Sequence, residues 1–503
     1  QRPRIGQRRF IKVLATAFAK GCHDKVRERL VRHWQIGTWF PVRKVRAKLR
    51  HGPSLAHVLP RVSPENGFPF EGHKLRSRML DIRLLRDQPE EVKARVKTRG
   101  GDYPGLVDEV LAFDQTRRQA ETKRQELQQE RNQTSKEIGK LRKDGQDTSE
   151  IEANVRTIGE SIKALDEQVL ESETQQRDVL LSIPNMPHAD CPVGQDETAN
   201  PETRTWGDAK PHTEDLKDHV TLGSELGLFD FEAGATLSGS GYVVFTGKGA
   251  RLQRALIQFL LDLQTEEHGY TEISPPYLVR RECMFGTGQL PKFEDDMYEL
   301  EGGAFFLAPT AEVPVTNLRR EEIVPEADLP IKYTAHTPCF RREAGSAGRE
   351  SKGLIRMHQF DKVELVQMTR PDSCTQALED LAGHAEKALQ LLGLHYRVIE
   401  LCTGDLGFSA AKTYDLEVWA PGHNGYLEVS SCSNFYDYQA RRMNLRFKDA
   451  ETKKNRFCHT LNGSGLALPR LYVALVETWQ QPDGSIKVPE PLQPYLRGAT
   501  EIR

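Results

Sequence analysis

The most regular run of apolar and polar positions lies between Leu106 and Val179. Positions 106, 110, 113, 117, 120, 124, 127, 131, 134, 138 and 141 step by four and three, holding Leu, Val, Phe, Arg, Ala, Arg, Leu, Arg, Thr, Ile and Leu. A turn at Asp144-Gly145-Gln146-Asp147 follows. The stepping resumes at 151, 155, 158, 162, 165, 169, 172, 176 and 179 with Ile, Val, Ile, Ile, Leu, Val, Ser, Gln and Val. Two heptad helices joined by a tight turn predict an antiparallel coiled coil, an arm of roughly 50–55 Å at about 1.5 Å per residue. Periodicity alone fits an oligomerisation zipper. Arginine at several first-helix seam positions, with Lys, Arg and Gln throughout, makes a poor dimer seam but a workable surface for an RNA backbone.

The flanking patterns are shorter. Met79 to about Gly105 reads as a small helical unit. Its Asp87-Gln88-Pro89-Glu90-Glu91 marks a helix start, with proline early and carboxylates in the first turn. Ile183-Pro184 ends the second arm helix, and proline-rich, acidic sequence to about Pro211 reads as a linker. Gly249 to His268 is helical, with Leu252, Ala255, Leu256, Phe259, Leu260 and Leu263 on one face. GYTEISPPYLV follows as a strand. At Pro338 to Glu364, a segment Cys339-Phe340-Arg341-Arg342-Glu343 leads into a loop with three glycines and the cations Arg349, Lys352 and Arg356. Ile355 to Val366 then partly alternates, as a strand does. Two strands joined by a basic loop suit the gripping of a nucleotide, because arginine makes forked contacts with phosphate oxygens. The plainer reading is a solvated charged hairpin.

Composition narrows the class. The chain has 503 residues and a net charge of −2, enough for a large core and two or three domains. Residues 1–78 carry 19 Lys+Arg against 4 Asp+Glu, whereas the remainder carries 51 against 68. An acidic body implies that any polyanion is met by local basic patches rather than by overall charge. The eight cysteines are scattered with no CxxC pair, which argues against a zinc site and a disulfide framework and suits a reducing cytoplasm. No apolar run approaches the ~20 residues of a membrane span. The basic leader, 1–78, has three readings: translated upstream sequence or an early start, which is preferred; a targeting leader; or an RNA-binding extension.

FRREAGS…GLIRMHQFDKVE resembles motif 2 of the class II aminoacyl-tRNA synthetases, in the version of the bacterial-type seryl-tRNA synthetase family. GYTEISPPYLV resembles motif 1, with Pro276 as its proline, and GLALPRLYVAL resembles motif 3. The class I signatures HIGH and KMSKS are absent. The resemblance begins at Met79. It implies an α+β protein: an N-terminal antiparallel helical coiled-coil arm over 79–185, a linker over 186–211, and a class II domain over 212–503 with an antiparallel sheet flanked by helices.

It also implies a chemistry, joining the carboxylate of L-serine to the α-phosphate of ATP and passing serine to the 3′ end of tRNA(Ser) and of tRNA(Sec). Arg341 would bridge the α-phosphate and the amino-acid carboxylate, Glu343 would lie near the adenine amino group, and Phe360 would stack on adenine. Arg342 and the Glu428-Val429-Ser430-Ser431 stretch would join the ATP site, with Glu428 and Ser431 on magnesium. Arg470 would cover the other adenine face and reach the γ-phosphate. Thr310, Ala311, Glu312, Glu364, Asn462 and Ser464 would form the serine pocket with Arg341. A cytoplasmic homodimer using ATP and magnesium, without zinc and without a membrane, is the expectation. A ligase loading a carrier protein would lack the arm, and a decayed coiled-coil scaffold would lose Arg341, Glu428 or Arg470.

Overall fold

A computed structural model describes residues 80–344 and 352–503. The basic leader and the loop residues 345–351, Arg349 among them, lie outside the described residues. The chain opens with α1 (Ile82–Asp87), capped by the Asp81 side chain on the Arg83 amide, and α2 (Pro89–Lys97), which starts on its proline with Glu90 and Glu91 in the first turn. The arm is α3 (Tyr103–Lys143) and α4 (Ser149–Leu181), turned at Gly145 with φ of +70°. Every seam position read from the heptads is buried or half-buried.

Two details of the arm differ from expectation. At its base the buried α3 positions are Val107, Val110 and Asp114, one residue off the heptad at 106 and 113, because α1 and α2 pack there too. Asp114 is 2% exposed and takes a fork from Arg86, Nε to Oδ2 at 2.6 Å and Nη2 to Oδ1 at 2.8 Å. Burial works against its charge, but hydrogen bonds from Arg86, Arg117 and Gln176 hold the carboxyl below its usual range. The seam arginines also turn inward. Arg117 pairs with Asp114 and Glu121, and Arg124 reaches Asp166 on α4 at 2.8 Å. A guanidinium on a seam keeps its charge by meeting a carboxylate, so these two brace the arm instead of facing an RNA. Arg118, Lys136, Lys140 and Lys143 of α3 are exposed.

The arm base is fastened to the rest of the protein. Leu85, Val96, Val110 and Ile183 share one apolar cluster with Phe408 and Tyr438. Arg99 donates to the carbonyls of Leu406, Gly407 and Ala410, and Asn185 to those of Ser409 and Phe435.

The main sheet comprises β1 (Glu202–Trp206), β2 (Thr271–Glu272), β3 (Ile331–Phe340), β4 (Gln359–Thr369), β5 (Tyr396–Glu400), β6 (Lys412–Ala420), β7 (Gly425–Tyr436) and β8 (His459–Ala467). Their order is β1-β5-β6-β7-β8-β4-β3-β2, antiparallel except where β2 meets β3. The segment read as a linker therefore contributes the edge strand β1. Three helices complete the layer beneath the sheet: α5 (Gly247–Asp262), α6 (Cys374–Leu391) and α7 (Leu468–Thr478). The six apolar residues expected on one face of α5 and its extension are all buried in this core.

The segment GYTEISPPYLV is not one strand. β2 joins the main sheet, while Leu278–Arg280 pairs with Phe305–Leu307 in a smaller sheet. Pro275 and Pro276 each lack an amide donor, so no ladder continues through them. The strand expected from Ile355 to Val366 is likewise displaced, starting at Gln359 and running to Thr369. Leu354, Ile355 and Met357 bury their side chains in the helical layer rather than alternating across a sheet.

Candidate active site

On the sheet face away from those helices lies a cavity of ≈ 720 Å³. Period-two alternation in β4 sends Phe360, Lys362 and Glu364 to this cavity, and β8 adds Asn462 and Ser464. β7 supplies Glu428 and Ser431. In a regular strand two residues three apart point to opposite faces, and here they do not. The pairing with β6 steps from Leu416↔Ser430 to Glu417↔Glu428, so Val429 is an extra residue. This bulge turns the pleat by one position, and both oxygen-bearing side chains line the same cavity.

Two arginines enter from separate elements. Arg341, just past β3, places its guanidinium carbon 5.3 Å from the Phe360 ring centroid and donates from Nε to the Pro309 carbonyl at 3.3 Å. Arg470, in the first turn of α7, donates from Nε to the Ile355 carbonyl at 3.2 Å and from Nη1 to the Glu428 carbonyl at 2.9 Å. Carbonyl anchors fix the direction of both guanidinium groups, and Arg470 Nη1 also lies 3.6 Å from a Glu428 carboxylate oxygen. Glu343 is paired with Arg356.

The cavity is also lined by two buried carboxylates, Glu312 and Glu364. Thr310 donates to Glu364 Oε2 at 2.9 Å, and Lys362 pairs with the same oxygen. Glu312 accepts from Gln439 Nε2 at 2.6 Å, and Gln439 in turn accepts from Thr460 at 2.8 Å. Burial, then the nearby Glu364 charge, pushes the Glu312 carboxyl up to about 7. A pocket with two buried carboxylates, plus hydroxyl and amide groups, suits a small ammonium-bearing polar ligand.

Three of the residues expected here are placed elsewhere. Ser430 is 1% exposed and gives its hydroxyl to the Ser464 carbonyl at 2.6 Å, locking β7 to β8. Ala311 is fully buried in a neighbouring apolar cluster. Arg342 is exposed, with its amide on the Asp296 carbonyl, and does not line the cavity. Arg341, Glu343, Phe360, Glu428, Val429, Ser431, Arg470, Thr310, Glu312, Glu364, Asn462 and Ser464 do come together there.

Sequence reasoning missed Lys362, Gln439, Ser433 and Asp415. Lys362 was legible from the alternation with Phe360 and Glu364; the others were not. Ser433 lines the cavity beside Ser431 and shares a 2.8 Å hydroxyl contact with Thr413. Asp415 stands opposite Ser431 in the ladder, and its Oδ1 is buried without a hydrogen-bond partner. Burial and the Glu428 charge push this carboxyl well above its usual range. The donors that line this edge, Glu428 and Ser431, are hard oxygens, so their chemistry fits a magnesium ion.

Residues 79–187 match the family model described as the seryl-tRNA synthetase N-terminal domain, and 292–479 match the tRNA synthetase class II core domain (G, H, P, S and T). A serine–tRNA ligase of Akkermansia muciniphila is 65% identical over 425 residues, covering 84% of this chain and 99% of the relative. One from Geobacter sulfurreducens is 51% identical over 424 residues, covering 84% and 100%. Among solved structures, the seryl-tRNA synthetase of Pyrococcus horikoshii complexed with ATP superposes with a TM-score of 0.81 at 39% identity, covering 84% of this chain and 99% of that one. The cytoplasmic serine–tRNA ligase of Naegleria fowleri with AMP gives 0.77 at 30% identity, covering 85% and 99%.

Proposed function

The chain belongs to the seryl-tRNA synthetase family, and from that premise we propose that it makes seryl-adenylate from L-serine and ATP in this cavity, then transfers serine to tRNA(Ser). The observation that carries the reading is that one cavity is lined both by the arginines Arg341 and Arg470 and by the buried carboxylates Glu312 and Glu364. A triphosphate belongs against Arg341 and Arg470 and the serine ammonium against Glu312 and Glu364, with the serine carboxylate meeting the α-phosphate beside Arg341. Carboxylate attack places extra charge on the α-phosphate oxygens, and Arg341 stabilises it as pyrophosphate leaves. Phe360 and Arg470 hold adenine, with Glu343 at its edge. Glu428 and Ser431 would hold a magnesium ion, which would supply Lewis-acid neutralisation of phosphate charge. Thr310, Asn462 and Ser464 face the serine hydroxyl end.

The arm, 79–185, binds the tRNA through exposed α3 cations such as Arg118 and Lys136, and tRNA(Sec) is a second acceptor. The enzyme works as a homodimer in the cytoplasm, with exposed Tyr277 and Leu278 beside Pro276 supporting a subunit contact. Among the described residues no helix is long and apolar enough to cross a membrane. The test is serine-dependent ATP–pyrophosphate exchange followed by charging of tRNA(Ser). Exchange with another amino acid, or none, overturns the reading.

A further inference from the structure

Behind the cavity a buried pair joins the helix that carries Arg470 to the segment leading into β4. His219, 1% exposed, opens the short helix His219–Glu225; Glu477, fully buried, lies near the end of α7. Glu477 Oε1 accepts from the His219 amide at 2.8 Å and lies 3.0 Å from its Nδ1, while Oε2 accepts from the His423 amide at 2.8 Å. A carboxylate flanked by donors has no proton to give, so Nδ1 is the donor and Nε2 is left as an acceptor. The Leu354 amide donates to that Nε2 at 3.2 Å. One residue on, the Ile355 carbonyl is the acceptor for Arg470 Nε. The chain of contacts thus runs Glu477, His219, Leu354, Ile355, Arg470, leaving α7 and returning to it.

The neighbouring glycine shows how closely these parts are fitted. Gly353 has φ of +58°, and a Cβ there would sit 2.3 Å from His219 Nε2 and 2.6 Å from Val220 Cγ2. No side chain fits without lifting the Leu354 amide off the ring.

We propose that His219 is a positioning residue for ATP. It holds the Leu354–Ile355 peptide so that the Ile355 carbonyl sets the Arg470 guanidinium before the nucleotide arrives. The inference rests on the ATP role proposed for Arg470. Neither His219 nor Glu477 lines the cavity, so the effect passes entirely through the peptide. Preset donors need no rearrangement when charge develops, and a displacement of about an ångström in such a group weakens catalysis by up to about a hundredfold.

The geometry separates the two ends of the imidazole. His219→Asn keeps a donor toward Glu477 but has no acceptor for the Leu354 amide. His219→Gln keeps an acceptor near the Nε2 position. Gly353→Ala crowds the same contact from the other side while keeping both the His219 and the Glu477 side chains, should the Asn variant fold poorly. Exchange kinetics, thermal melting and amide hydrogen exchange at Leu354 are measured on the full chain. The expected result is a tenfold or greater loss in kcat/KM for ATP in the Asn and Ala variants with faster exchange at Leu354, and retention of most efficiency in the Gln variant. In an Arg470→Ala background, His219→Asn adds no further loss, because both act on one contact. Asn and Ala variants with normal ATP kinetics and only a lowered melting temperature would overturn the proposal, making the pair a core brace. Normal exchange by Arg470→Ala alone would overturn the ATP assignment itself, a different outcome.

Discussion

The arm and the sheet cavity are built by opposite means. In the arm, the heptad position already specifies which residues are covered, and every seam position is buried or half-buried. Its buried side chains are few, and its charges pair across the seam or along one helix, as Arg124 with Asp166 and Lys123 with Glu126 do. In the cavity, neighbours in space come from distant segments: Thr310 on Glu364, Glu312 on Gln439, Arg470 on Ile355. A periodic element can be shortened or lengthened without disturbing what lies beyond it. A convergent site cannot lose one anchor without shifting several groups. The two regions should therefore fail separately.

The sharpest break in that comparison is to shorten the arm. Removing residues 119–171 and closing α3 to α4 with a short glycine-rich turn keeps Val107, Val110, Asp114 and Leu180 at the base. Charging of tRNA(Ser) should fall to background while exchange stays near wild type. Normal charging would make the arm a spacer or a zipper.

Arg341→Ala attacks the cavity alone. Losing a charge-assisted contact that strengthens as the α-phosphate is attacked should cost about 3–4 kcal/mol in serine-dependent exchange. tRNA affinity, measured by filter binding, should not change. An exchange rate close to wild type would remove Arg341 from the phosphate site.

Glu364→Gln keeps shape but discharges the partner of Thr310 and Lys362. The preference for serine over alanine should drop by about 1–3 kcal/mol, the size of a hydrogen bond to a charged group. The ratio of exchange efficiencies reads this, and an unchanged ratio places Glu364 on the ammonium alone.

The smallest effect concerns pH. Glu312 has a folded-state value of about 7 against a reference of 4.5. The free protein therefore holds a proton there that an unfolded chain has released, and this contribution to stability is lost as pH rises from about 4.5 through 7. An ammonium ligand needs the charged form, so serine should bind with proton release. Its affinity should weaken by up to about tenfold per pH unit below 7. Calorimetry in buffers of different ionisation enthalpy measures the proton count, and Glu312→Gln should abolish it. A pH-independent affinity would show that Glu312 is not the ammonium partner.

What the sequence alone determined was whatever fits within a few turns of chain: the two arm helices, the apolar face of α5, the proline start of α2, and the kinds of residue at the cavity. These depend on spacings of two, three and four, and every window of the sequence displays them. The tertiary structure decided the rest. Glu428 and Ser431 share a face only because β6 pairs across a bulge at Val429, and nothing in β7 by itself records that register. Arg117 and Arg124 turned from surface cations into braces once carboxylates stood opposite them. Ser430 and Ala311 do not line the cavity because their own strand or cluster holds them, and the ladder sets buried Asp415 against Ser431. The physical reason is common to all of these. Side-chain direction follows from local backbone, but most partners come from other segments: Ser464 is 34 residues from Ser430, Asp166 is 42 from Arg124, and Gln439 is 127 from Glu312.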